Sequence, residues 1–429
     1  MLKIFRAPFF QQSAIYLTTN ILNALLPFIL LPIFSRFLST EEYGKIAIFQ
    51  LIISGLNAFV GLNTIGAASR KFFDNPPKSE LQHYNNSSFI LLFYSLIITL
   101  ILAYVFRGEL IYFFNIPFSW IITAIICSAL NYILLFKLSQ LQIRRKAVQY
   151  GILQLSNSSF NFILTLILII YVSPNAESRI VAMILTLFIF SVYCFISLLR
   201  TNTINYKKEK HIFIKDNLLF GLPLIPHIFG LFLLSSIDRF IINKYYDLST
   251  AGIYMMGFQV SLCIIIFFDA LNKALTPYLF KKLTKATFQD KKTIVKYSYI
   301  LFLFCLVIGA VSYLISPLII KIIGGEKYSQ ASTFVGILCI GQSFQGMYLV
   351  VTNYIFFAKK TYILSLITIL SGILNIILIY SFITIYSLLG VSIAFCISMF
   401  IRFICTWILS NYAFPMPWFL NKKEYNVKS

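Results

Sequence analysis

The sequence predicts an all-α integral membrane protein: about twelve transmembrane helices in two parallel six-helix repeats around a central cavity. Three observations carry that prediction. Hydrophobic residues make up 59% of the 429-residue chain and charged residues 11%, with a mean hydropathy of +0.84, and such a composition cannot clothe a water-facing surface. Apolar runs long enough to cross a bilayer, about 20 residues each, follow one another with only short polar stops. A short motif also recurs about 210 residues along the chain.

The elements follow in order. Apolar runs place the first six helices at residues 13–37, 45–65, 88–106, 118–141, 149–172 and 180–199, and the other six at 218–242, 252–275, 297–320, 331–357, 361–384 and 388–410. The basic start MLKIFR leads through FFQQS into the first run without a small-residue cleavage site, so the N-terminus is expected to remain as the first cytoplasmic segment. Lys and Arg collect in cytoplasmic loops. Here they collect at Lys3 and Arg6, at Arg70, Lys71 and Lys78, at Arg144, Arg145 and Lys146, in the stretches 200–216 and 281–296, at Lys359 and Lys360, and at Lys422, Lys423 and Lys428. The opposite loops hold only Lys45, Arg107, Arg179, Lys244, Lys321 and Lys327. Both termini are therefore expected in the cytoplasm, and topology accounts for most of the net charge of +21. That charge is not gathered on an aromatic-studded soluble domain, which argues against nucleic acid.

The motif LSTEEYGKIAIFQ follows helix one, and LSTAGIYMMGFQ follows helix seven. Arg145 precedes Asn161 by the same interval as Lys359 precedes Asn375, at a similar offset between copies. Six helices per copy put both copies in the same orientation, and parallel repeats of this kind enclose a central cavity in many transporters. The expected organisation is an N-terminal half over 1–205, a C-terminal half over 206–415 and a cytoplasmic tail over 416–429.

A charge at mid-bilayer costs about 2.5 to 3.5 kcal/mol on insertion scales, so retained charges normally face a partner or a cavity. The intramembrane set is Arg36, Lys137, Asp238, Arg239, Asp269, Lys273 and Arg402. Asp238 and Arg239 fall toward the outer end of helix seven, about 30 Å from its inner boundary, and Arg36 ends helix one at a similar height. Asp269 and Lys273 share a helical face and can pair, so an internal ion pair is as good a reading as a functional one. Lys137 reads as a side chain that snorkels to the inner interface. Arg36 and Arg402 have no acid one turn away, which makes them the stronger functional candidates. Surplus Arg and Lys in a low-dielectric cavity suits an anionic ligand such as a phosphate ester.

Gln50, Asn57, Gln259, Gln342, Gln345 and Asn353 read first as interhelical hydrogen-bonding groups, and second as contacts for a hydroxyl-rich substrate. Pro27 and Pro32 in helix one, and Pro223 and Pro226 around His227 in helix seven, predict bent helices. All seven cysteines stand in apolar runs without CxxC or Cys/His spacing, so they read as buried packing residues rather than disulfides or metal ligands. No phosphate-cradling loop, HExxH or large soluble domain is present, which removes nucleotide-driven transport and leaves no catalytic residue to name. No cofactor is expected beyond a coupling ion, H+ or Na+; energy comes from such a gradient or from substrate supply.

The tail of helix one, PIFSRFLSTEEYG, and above all LPLIPHIFGLFLLSSIDRFIINKYYDLSTAGIY, residues 222–254, resemble the polysaccharide flippases (Wzx-type, O-antigen and related) of the multidrug/oligosaccharidyl-lipid/polysaccharide exporter superfamily. The resemblance covers nearly the whole chain. It implies translocation of an undecaprenyl-diphosphate-linked oligosaccharide from the cytoplasmic to the outer leaflet of the bacterial inner membrane by alternating access. It also implies a role in O-antigen or lipopolysaccharide assembly beside a polymerase and chain-length machinery. Arg36, Asp238 and Arg239 map onto charged positions of this pattern, whereas Asp269, Lys273 and Arg402 are candidates on physical grounds. Twelve helices fit this branch, while the related peptidoglycan-precursor flippases usually have two more. The alternatives are a cation-coupled multidrug exporter of the same superfamily and, in another class, a membrane polysaccharide polymerase.

Overall fold

Local sequence sets where each helix begins and breaks. The computed structural model describes residues 8–205, 211–284, 286–358, 360 and 362–418, and none of these lies in a strand. The basic residues Lys3, Arg6, Lys207, Lys208, Lys210, Lys285, Lys359, Lys422, Lys423 and Lys428 lie outside the described residues. The helices are α1 (Pro8–Phe37), α2 (Thr40–Leu56), α3 (Thr64–Phe73), α4 (Lys78–Val105), α5 (Arg107–Phe114), α6 (Phe118–Ile143), α7 (Ala147–Ile167) and α8 (Ala176–Arg200). After the linker come α9 (His211–Gly221), α10 (Ile225–Ser235), α11 (Ile237–Tyr245), α12 (Leu248–Leu283), α13 (Phe288–Gly324), α14 (Val335–Phe357) and α15 (Tyr362–Ala413).

Ten stretches among the described residues are long and apolar enough to span a membrane. The last, of 52 residues, is two spans joined at Ser387, whose φ of 54° breaks the helix, and α2, with 17 residues, falls just short of that length. About twelve spans result, as the apolar runs predict. Exposed Phe, Leu, Ile and Tyr side chains cover the outer faces of these helices, as lipid contact requires.

Two spans differ from expectation. Helix two is placed at 45–65 by its apolar run, but α2 stops at Leu56 and a turn follows in which Gly61, Leu62 and Asn63 all have positive φ. Backbone conformation overrides hydropathy there, and the chain restarts as the short α3 with Arg70 and Lys71 in its last turn. Helix seven is bent where its prolines predict, with Pro223 in a 3-10 turn, Leu222–Leu224, and Pro226 opening α10 within one span over 212–235, but it ends early: a break at Ser236 starts the separate α11. Pro27 and Pro32, by contrast, lie inside a continuous α1.

Contacts divide the chain into two compact units, Met1–Met255 and Met256–Ser429. In the first unit α9 packs on α3 and α4, and α11 packs on α2 and α5. Polar groups fix these docks: Asn217 donates to Ser87 Oγ at 2.7 Å, and Asn243 donates to the Phe114 carbonyl at 3.2 Å. The two LST copies meet here. Thr40 and Ser249 share a hydroxyl hydrogen bond of 2.6 Å, and the helices cross so closely that a Cβ on Gly44 would lie 1.8 Å from the Leu248 carbonyl oxygen, and one on Gly252 would lie 2.1 Å from that of Thr40. Only glycine permits this approach. Asp247 caps α12 by accepting from the Thr250 amide at 2.7 Å, and that bond holds its carboxyl below the usual range.

In the second unit α14 packs against α13 and α15. Trp418 is buried against Tyr299, Phe302, Tyr354 and Trp407, and its carbonyl accepts from the Tyr299 hydroxyl at 2.8 Å. The chain leaving α15 is thus pinned before the undescribed residues begin. All seven cysteines are free; Cys127, Cys194, Cys305 and Cys339 are buried, but Cys263 and Cys405 are exposed on apolar helix faces rather than packed inside.

Candidate functional site

In the first unit, Asp238 and Arg239 open α11 and are both buried. Asp238 Oδ1 accepts from the Arg239 amide at 2.8 Å and lies 3.7 Å from its guanidinium, so the acid stands at a helix N-terminus where the dipole favours it. The Arg239 guanidinium donates back to the Ser235 carbonyl at 2.6 Å, across the break at Ser236. The buried Tyr254 ring lies beside both charges. The pair thus clamps the α10–α11 junction. Arg36, in the last turn of α1, is exposed and pairs with no described carboxylate; a cation there complements the helix C-terminus.

Sequence reading places Arg179 in an outer loop, and the structure corrects this. Asn175 accepts from the Ser178 amide and starts α8 at Ala176, which carries Arg179 one turn inside, at 9% exposure. Its guanidinium donates to Asn161 at 2.6 Å and Thr165 at 2.5 Å on α7, and it lies over the Phe34 ring of α1. None of these partners is an acid. The cap Asn-Ala-Glu-Ser was the available signal. Asn161, noticed only as a repeat landmark, is a polar anchor for this arginine.

In the second unit, Arg402 is 2% exposed. It donates to Gln345 Oε1 at 2.8 Å on α14 and to Thr368 Oγ1 at 3.5 Å on the first span of α15, and it stacks 3.9 Å from the Tyr348 ring centre. Its Nε has no partner. Asp269 and Lys273 pair at 2.5 Å on α12, both about half exposed. Nearby, Asn353 donates to Asn272 at 2.7 Å, joining α14 to α12. Each unit therefore holds a buried guanidinium met by an amide, a hydroxyl and an aromatic face, with no carboxylate partner among the described residues. Asp238 and Asp269, the two acids of the intramembrane set expected from sequence, are each engaged by an adjacent cation.

Residues 9–283 match the family model described as polysaccharide biosynthesis protein, which is more than half of the chain. The chain belongs to that family. A relative from Haemophilus influenzae, Lsg locus protein 1, is 29% identical over 375 residues, covering 86% of this chain and 89% of its own length. Among solved structures, an inward-facing multidrug resistance MATE family transporter of the MOP superfamily is similar with a TM-score of 0.68, at 15% identity over 93% of this chain and 97% of that one. The MATE multidrug transporter DinF-BH, solved in complex with R6G, gives a TM-score of 0.69 at 14% identity over 95% of this chain and 96% of that one. These likenesses show the fold. This polysaccharide biosynthesis family member is a multi-pass membrane protein with the fold of the MATE transporters.

Proposed function

We propose that the protein translocates an undecaprenyl-diphosphate-linked oligosaccharide, an O-antigen or related surface-polysaccharide repeat unit, across the bacterial inner membrane by alternating access. Both termini and the basic loops face the cytoplasm in this reading, and the polymerase and chain-length machinery are its functional neighbours. The observation that carries it is the buried Arg402, held by Gln345, Thr368 and Tyr348 with no acid beside it. A desolvated guanidinium that keeps an unpaired Nε favours an anion such as a diphosphate. The family description, polysaccharide biosynthesis, supports the same substrate class. Arg36, Asp238, Arg239, Asp269 and Lys273 are the further candidates; Asp238 with Arg239 serves as an outer latch, and Asp269 with Lys273 as an ion pair exchangeable with a passing charge.

The second reading is a cation-coupled multidrug exporter, favoured by the fold shared with the R6G-bound transporter. Expression in a bacterium lacking its own flippase separates the two. Restored surface glycan, lost again in Arg402→Ala at unchanged membrane level and without altered drug tolerance, supports the flippase. Raised drug tolerance with no glycan on the surface supports the exporter.

A further inference from the structure

A cavity of about 740 Å³ opens within the first unit among α6, α7 and α8, beside the basic turn of Arg144 and Lys146. Three helix ends meet there: the C-terminal ends of α6 and α8, and the N-terminal end of α7. Lys137, Arg144, Lys146 and Gln149 line its polar wall, and no described acidic residue does. Ile152 and Tyr193 line the other wall, and both are more than half exposed on the outer helix faces. The cavity therefore has a charged interior and an apolar side open to lipid.

Lys137 is the decisive group. It lies about 10 Å along α6 from Arg144, is 8% exposed, lines the cavity and has no hydrogen-bond acceptor or carboxylate partner among the described residues. An ammonium kept in such a place without a counter-charge costs several kcal/mol. Arg144 is little better served: one weak bond of 3.3 Å goes to Gln140, and its Nε is unpartnered. No side chain caps the first turn of α7, so its amides add partial positive charge at the rim. The sequence reading has Lys137 snorkel to the inner interface; its stem is buried, and it lines the cavity that opens beside Arg144 and Lys146.

We propose that this cavity binds the phosphate group of a lipid that enters sideways from the leaflet next to the basic loops. Lys137 and Arg144 take the phosphate oxygens, and the acyl or prenyl chain lies along Ile152 and Tyr193. Basic pockets between spanning helices suit anionic headgroups, and the volume is that of a small-ligand site. The proposal does not depend on which lipid is transported, because phosphatidylglycerol and a polyprenyl diphosphate offer the same phosphate chemistry to Lys137 and Arg144.

Native mass spectrometry of the full-length protein in detergent, titrated with phosphatidylglycerol, undecaprenyl diphosphate, phosphatidylcholine or inorganic pyrophosphate, tests the site. Retention of at least one anionic lipid should exceed that of phosphatidylcholine and fall about tenfold or more in Lys137→Gln. Gln149→Glu should have the same effect while keeping the fold, since an acid in the first turn of α7 favours the helix but repels phosphate. Retention of undecaprenyl diphosphate alone would make the cavity the lateral access of the substrate; retention of phosphatidylglycerol as well would make it a resident-lipid site. Equal retention of phosphatidylcholine, unchanged retention in Gln149→Glu, or binding of pyrophosphate without either anionic lipid would overturn the proposal.

Discussion

Arg402 shows how a single side chain in a membrane protein separates stability from use. Its charge has lost water and gained only neutral partners, so the guanidinium does not stabilise the fold by ion pairing. Replacing the guanidinium with an apolar side chain of similar length removes the cost of holding a charge out of water, which offsets the about 1 to 3 kcal/mol that Gln345 and Thr368 would each lose with their partner. Arg402→Met is therefore expected to leave the thermal unfolding midpoint in detergent within a few degrees of the parent while abolishing glycan export. A collapse of the midpoint would make the arginine a packing residue. Sequence alone marked Arg402, because a lone cation in an apolar run stands out. Arg179 escaped because its role depends on a helix start set by one cap, and hydropathy places such boundaries poorly. Lys137 was visible, but its enclosure by α7 and α8 is a tertiary fact that no local pattern encodes.

At the scale of elements, long apolar runs translated directly into α4, α6, α7, α8 and α12 to α15, since a bilayer leaves the backbone little choice but helix. Breaks were legible only where proline or a polar loop announced them. The turn after α2 rests on Gly61 and Asn63 in left-handed conformations, and the α10–α11 break on Ser236; neither interrupts hydropathy. The junction inside α15 was legible, because the apolar runs end at 384 and resume at 388. Ser387 has φ 54° and ψ −136°, a region that a side chain occupies at a cost of about 1 to 3 kcal/mol. Ser387→Gly is expected to raise the unfolding free energy by an amount in that range, measured by thermal or denaturant unfolding in detergent. A decrease would mean that the serine side chain holds the junction. The LST repeat, read as a mark of duplication, acquires a physical role: Gly44 and Gly252 let α2 and α12 touch backbone to backbone, and Thr40 and Ser249 close the contact.

The whole molecule joins a polysaccharide-family sequence to a transporter fold shared with multidrug exporters, so fold alone leaves the cargo open. The proposed anionic cargo suits the chemistry: among the described residues no acid pairs with the buried guanidiniums of Arg179 and Arg402, and Asp238 and Asp269 each pair with an adjacent cation. A cation carrier has the reverse requirement. The most direct measurement uses proteoliposomes loaded with an undecaprenyl-diphosphate-linked oligosaccharide on one leaflet, with glycan appearing on the other leaflet followed by an impermeant lectin. Protein-dependent appearance of the glycan, reduced to the level of empty liposomes by Arg402→Gln, is the result predicted here. Glycan transfer no faster than in empty liposomes, with rhodamine accumulation driven by an imposed ion gradient, would contradict it.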